Sequence, residues 1–300
     1  MLKVVKILKE INPDFVHLHV DHQYSLASVL SGIPFVLTSW GLEVQTLPHA
    51  SFIQKTLAKI AATKARAVTV DAKFLQEIWV SMGIPEHKIK VIPFGVDMNR
   101  FNPNVDGSAI RRKLRIKKTD IVMISTRPFY NNNHYNVECL IRAIPVIVRI
   151  HENAKFIIKG AGPLEGYLKR LVEKLNVSKH VRFVGLVPYD EVARYLCASD
   201  IYISTCFVDS TSVSLLEAMA CGLPPVVTDI LGNREWIENG ENGFLFPPKN
   251  PTALAEKVIQ LIENQHLRKR FGEKCFQIIK RRATWEKCVS EMEAIYKSLM

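Results

Sequence analysis

Short apolar runs alternate with stretches of helical periodicity along the whole chain. Residues 14–20 (DFVHLHV), 34–38 (PFVLT), 67–72 (AVTVDA) and 90–95 (KVIPFG) have the length and β-branched content of strands. The same signature returns at 120–126, 154–160, 181–185, 200–205, 224–229 and 243–246. Helical stretches lie between them, such as HQYSLASVLS, which Gly32 is placed to end. Strands that are apolar on both faces and alternate with helices predict an α/β fold with parallel sheets covered on both sides.

The polar stretch 98–108 (MNRFNPNVDGS) interrupts the pattern at Pro103 and Gly107, so a boundary is predicted near residue 104. Residues 1–104 form the expected first domain and 105–283 the second. Residues 284–300 are expected to form a helix that packs back toward the first domain. Its apolar side is read from Trp285, Val289, Met292, Tyr296 and Leu299. Asn250 and Pro251 have the form of a helix N-cap and first residue, ahead of Leu254, Val258 and Leu261 on one face. The chain opens in a helix and reaches its first strand near residue 14. At ~30 residues per βαβ unit, about two units of a full nucleotide-binding half have no counterpart, and the first domain is expected to be incomplete.

Three hundred residues suit two cores. No apolar run approaches the ~18 residues of a membrane span, and the opening MLKVVKILKEINPDF lacks the pattern of a secretory signal. The expected location is cytoplasmic. The six cysteines show no paired or metal-ligand spacing, so incidental thiols and no metal site are expected. A net charge of +11 favours anionic partners: nucleotide phosphates or anionic lipid. The densest run, Arg111 to Lys118, reads first as a solvated helix face and second as a lipid-surface patch that would hold the protein at the inner face of a membrane. Nucleic acid ranks last because no recognition motif accompanies the charge.

Ligands of open parallel sheets bind beyond the carboxyl ends of strands, so the segments after each strand carry the chemistry. The most informative is TCFVDSTSVSLLEAMACGLPPVVTD (205–229). A polar turn, Asp209-Ser210-Thr211-Ser212, precedes a helix reading VSLLEAMA and closed at Gly222. The first amides of such a helix, with its dipole, suit a phosphate. Glu217 follows two turns later beside an apolar run, where its carboxylate should titrate unusually. An ordinary capped helix with an incidental acid would account for Asp209 alone. It accounts less well for two acids, a hydroxyl-rich turn and a helix of small residues together.

Asp209, Glu217 and the following AMACGLPPVV resemble the signature of glycosyltransferase family 4. The segments 92–103 (IPFGVDMNRFNP), 159–171, 181–196 and 240–248 are similar to that family in order and spacing, as are NPDFVHLHV and PFVLTSWGLEV. The resemblance implies the GT-B fold, two Rossmann-like domains whose parallel sheets face a cleft, and retaining transfer from a UDP- or GDP-sugar without a metal. It implies that Asp209 contacts the donor sugar and Glu217 the ribose. The main chain of Thr211, Ser212 and Val213 would receive the diphosphate, Gly185 would present backbone to the base, and Arg127 would neutralise the leaving group. Two departures stand out: the first acid is Asp rather than Glu, and the usual Lys after the arginine is missing from 129–137 (FYNNNHYNV). His134 or Asn136 is expected to replace it. On the acceptor side the expected residues are His19, Trp40 and Gly41, for a glycan or lipid-linked acceptor. Two other readings remain: a nucleotide-sugar-binding module without chemistry, and a phosphorylase-like or epimerase-like enzyme, for which no suitable lysine or acid pattern is identified.

Overall fold

The computed structural model describes residues 1–19, 22–130 and 134–299, without the side chains of residues 22–24 and 42. They form two compact units, one of residues 1–95 with 285–299 and the other of residues 96–284. The polar stretch 98–108 therefore belongs to the second unit.

The first unit opens with α1 (Leu2–Ile11), β1 (Val16–His19), α2 (His22–Ser31) and β2 (Phe35–Ser39). It continues through α3 (Gly41–Thr46), α4 (Phe52–Lys64), β3 (Ala67–Val70), α5 (Lys73–Ser81) and β4 (Ile89–Val91). The four strands form one parallel sheet in the order β1-β2-β3-β4. All five residues of β2 are buried, as a strand covered on both faces requires. Leu37, Val68, Val70, Leu75 and Trp79 are central to the core. Gly32 ends α2 with φ +79°, a left-handed backbone suited to a residue without a Cβ.

The second unit begins with α6 (Ser108–Lys113), β5 (Ile121–Thr126), α7 (Val137–Ile150), β6 (Ala154–Lys159), α8 (Glu165–Lys174), β7 (Val181–Gly185) and α9 (Tyr189–Cys197). It ends with β8 (Ile201–Ser204), α10 (Val213–Ala220), β9 (Pro225–Thr228), α11 (Leu231–Arg234), β10 (Phe244–Phe246), α12 (Pro251–Glu263) and α13 (Gln265–Arg282). Its six parallel strands run in the order β10-β9-β8-β5-β6-β7. The order reverses between β5 and β8, which pair directly. The loops leaving these two strands therefore diverge to opposite sides and leave a crevice at their carboxyl ends. The last helix, α14 (Trp285–Lys297), is part of the first unit.

The Asn250 side chain accepts a 3.0 Å bond from the Ala253 amide, and Leu254, Val258 and Leu261 are fully buried. That cap and stripe follow the sequence pattern. The stripe of α14 differs. Cys288 and Ile295 are its buried residues; of the stripe read from the sequence, Val289, Met292, Tyr296 and, just past the helix, Leu299 are half-buried, and Trp285 is 57% exposed. The basic run also differs from a purely solvated face. Arg111 donates to the Ala198 carbonyl at 2.8 Å and pairs with Asp200 at 2.8 Å, so one of its charges is held internally. All six cysteines are free, and five are buried. Among the described residues no helix is long and apolar enough to cross a membrane.

Candidate active site

Arg127 immediately follows β5, and the segment 205–212 follows β8, which places both at the strand-order reversal of the second unit. Arg127 is only 7% exposed. Its Nε donates to Ser204 Oγ at 3.2 Å, one Nη2 bond goes to Ser212 Oγ, and Nη2 lies 3.0 Å from Asp209 Oδ2. The Tyr135 ring lies 5.6 Å from the guanidinium carbon. Burial disfavours the cation, but the acidic neighbours outweigh it and hold the pKa above the ordinary arginine value. A fixed guanidinium charge thus sits at the crevice floor with little freedom to reorient.

The loop carrying Asp209 is tied down on both sides. Phe207 donates its amide to the His134 carbonyl at 2.8 Å, and Thr205 Oγ1 donates to the Tyr135 carbonyl at 2.9 Å. On the other side, Thr228 Oγ1 donates to the Cys206 carbonyl, and Asn233 donates to the Thr228 carbonyl at 2.7 Å. Gly232 packs so closely that a Cβ there would lie 2.0 Å from the Ser210 carbonyl oxygen. These tethers hold Asp209 against Arg127, and Asp209 Oδ1 also accepts the Ser210 amide at 3.1 Å. Ser212 is the N-cap of α10 and accepts from the Leu215 amide at 3.3 Å. Its hydroxyl is therefore shared between the helix start and Arg127. The first-turn amides of α10 have no preceding helical carbonyl to bond. Thr211 and Ser212 are buried there, while Val213 is 39% exposed.

Glu217 lies on α10 and is 6% exposed. Burial pushes its carboxyl up to about 7, against partial relief from a hydrogen bond with Tyr189 and from Lys159, Arg100 and Arg127. Tyr189 in turn is raised to about 12 by burial and by Glu217. Arg100 lies 4.8 Å over the Tyr189 ring and pairs with Asp190 at 2.9 Å. Tyr135, Tyr189 and Arg100 were not among the sequence-read site residues. Tyr135 stood inside the quoted 129–137 stretch, and Tyr189 and Arg100 inside quoted motifs, but no local pattern gave them a role.

Gly185 ends β7 with φ +66° and accepts the Gly160 amide at 3.0 Å. A Cβ on Gly160 would meet the Arg127 carbonyl at 2.1 Å, so the glycine lets the loop after β6 lie directly on the Arg127 backbone. Asn136, 9% exposed, is the N-cap of α7 in a left-handed conformation (φ 43°) and makes no side-chain cap bond. Asn131, Asn132 and Asn133 of the same stretch lie outside the described residues.

In the first unit, His19, Trp40 and Gly41 gather at the carboxyl ends of β1 and β2. The His19 ring stacks on Trp40 (5.4 Å, 6°), and Trp40 stacks on Phe94 (4.7 Å, 10°). Gly41 is buried as the first residue of α3, with Trp40 as its N-cap. His19 is exposed, whereas His17 is locked between Tyr296 (Nδ1, 2.6 Å) and Thr38 (Nε2, 2.5 Å). Burial, with His19 beside it, lowers His17 to about 4, so it is neutral near pH 7. Burial lowers His19 as well.

With the parallel sheets, the strand-order reversal and this cluster of side chains described, comparison with known proteins places the chain. Residues 106–277 match the family described as "Glycosyl transferases group 1", and residues 1–100 match "Glycosyltransferase Family 4". The chain belongs to the glycosyl transferases group 1 family, and its fold is the GT-B class of two Rossmann-like units. An uncharacterised glycosyltransferase of Methanocaldococcus jannaschii is 28% identical over 239 residues, 78% of this chain and 60% of that protein. N-acetyl-alpha-D-glucosaminyl L-malate synthase of Bacillus anthracis is 25% identical over 304 residues, 99% of this chain and 78% of that protein. The chain thus spans less than two thirds of the first relative's length and over three quarters of the second's. Among solved structures, HepE of Anabaena in complex with UDP superposes with a TM-score of 0.86 at 21% identity, covering 99% of this chain and 81% of that one.

Proposed function

We propose that the protein is a retaining glycosyltransferase that moves a sugar from a nucleotide diphosphate sugar to an acceptor hydroxyl. The observation that carries this reading is the buried Arg127 held 3.0 Å from Asp209 beside the amino end of α10. A departing nucleotide diphosphate needs stabilisation as the bond to the sugar breaks, and a preorganised guanidinium with helix amides supplies it without a metal. In this reading the main chain of Thr211, Ser212 and Val213 receives the diphosphate, and Glu217 accepts the ribose hydroxyls. Asp209 contacts the donor sugar, Gly185 lies along the base, and Asn136 takes the place of the missing lysine. The acceptor oxygen bonds to the anomeric carbon, and its proton leaves with the diphosphate.

UDP is the favoured nucleotide over GDP, because the HepE structure that the fold resembles holds UDP. His19, Trp40 and Gly41 belong to the acceptor side, and a glycan or lipid-linked acceptor fits a protein of net charge +11. Peripheral contact with the inner face of a membrane, in a cytoplasmic protein, is part of the reading. It is supported by Phe52 and Ile53 on α4, 83% and 68% exposed, next to Lys55 and Lys59.

The test is titration with UDP and GDP alongside a sugar-release assay on UDP- and GDP-sugars. Arg127→Gln is expected to lower turnover by at least ~100-fold, the scale for removing one fixed donor to a developing charge. Nucleotide binding without sugar release from the unaltered protein at any concentration would favour the binding-only module instead.

A further inference from the structure

The sheet of the first unit has a second concave end, away from the strand termini that carry His19 and Trp40. An open cavity of about 730 Å³ lies where β2, β3 and β4 begin. Lys64, Arg66, His87, Lys88 and Lys90 line it, and no carboxylate does so among the described residues. The C-terminal turns of α2, α4 and α14 also border it, through Ser28, Thr63 and Ile295.

Cations near helix C-termini have an ordinary purpose, which is to offset the negative end of the helix dipole. Lys88 serves it here, since its Nζ donates to the Thr63 carbonyl in the last turn of α4. The magnitudes decide how far that explanation reaches. Three helix ends contribute about half a negative charge each, roughly one and a half in total. Lys64, Arg66, Lys88 and Lys90 contribute four permanent positive charges, so about two and a half remain uncompensated. The crowding is visible in Lys88, which is held below the ordinary lysine range by burial and by Arg66. Like charges gathered in one concavity repel one another, and a dianion relieves that repulsion.

We propose that this cavity is a second anion site, distinct from the crevice of the second unit, that takes a phosphate monoester through Lys64, Arg66, Lys88 and Lys90. The phosphate can belong to a soluble phosphorylated compound or to a lipid headgroup. In either case Arg66 supplies the forked donor geometry and the lysines supply point charges.

Hydrogen exchange locates the anion without relying on the nucleotide site. Inorganic phosphate, against chloride of equal ionic strength, is expected to slow exchange in residues 63–67 and 87–90 by roughly threefold or more, as local opening becomes less favourable. Arg66→Gln/Lys90→Gln should abolish that protection. Both residues are exposed and neither belongs to a core, so the variant keeps its melting temperature in chloride. Flotation with phosphatidylcholine vesicles, with and without phosphatidic acid, separates the two sources. Capture by phosphatidic acid that the double substitution removes assigns the lipid, and phosphate protection without capture assigns a soluble compound. Protection that survives the double substitution overturns the proposal. So does protection confined to residues 209–213, which would leave the proposed transferase reading standing, or the absence of both protection and capture.

Discussion

Glu217 ties the chemistry of the candidate site to a single measurable proton. Unliganded, burial holds its carboxyl up at about 7, so at pH 6.5 a substantial share is protonated. If Glu217 holds the ribose as proposed, hydroxyls donate more strongly to its ionised form than to its protonated one, and nucleotide binding at pH 6.5 should release part of a proton. Calorimetry of UDP binding in buffers of different ionisation enthalpy reads that release, which Glu217→Gln should reduce to the part supplied by the terminal phosphate of UDP. The same raised value means that this side chain's contribution to stability is full below its ordinary 4.5 and is lost as pH rises through 7. His17 has the opposite sign. Its folded value of about 4 lies below its ordinary 6.5, so its contribution is full above 6.5 and is lost as pH falls toward 4. The melting temperature of the first unit should drop across that window, and His17→Gln should flatten the drop. Asp209 and Glu217 were legible as candidates because each sits within a few residues of the strand or helix that carries it, and Arg127 through the resemblance to the family. Tyr296 on His17 and Tyr189 on Glu217 were not, since the first pair is separated by 279 positions and neither partner carries a local signature.

At the scale of elements, the ten strands of the described residues were readable because parallel strands covered on both faces are rich in apolar residues; their ends shifted by at most two residues, except that the strand read over 90–95 stops at Val91. What the pattern could not give was the partner of an amphipathic face. The α14 stripe of Trp285, Val289, Met292, Tyr296 and Leu299 is half-buried apart from Trp285, while the fully buried line runs through Cys288 and Ile295, because the surface the helix meets selects the face. Arg111 was grouped with its basic neighbours for the same reason, since the Asp200 it reaches lies far along the chain. The loop after β6 offers a sharp test of how elements are fitted together. Gly160→Ala drives a Cβ into the Arg127 carbonyl and should cost about 3 kcal/mol in denaturant unfolding, the upper end for overpacking. It should weaken UDP binding as well, because the strained backbone is that of Arg127. A variant of unaltered stability would mean the loop yields without disturbing the site.

At the scale of the whole molecule, each unit has its own sheet and core, so each can respond separately to its own perturbation. UDP at about 100 times its dissociation constant should stabilise the second unit by roughly 2.7 kcal/mol, while the pH response of His17 stays in the first. Removing residues 285–299 should lower the stability of the first unit and leave UDP binding intact. Loss of both together would argue that the units do not fold separately. The first unit is stitched from two stretches that lie on either side of the second unit in sequence, with Tyr296 completing the pocket of His17. A ribosome releases β1 to β4 early, yet they must wait through the synthesis of an entire second unit for their final helix. The half made later is thus free to finish first, and the half begun first stays short of one helix until α14 has been made.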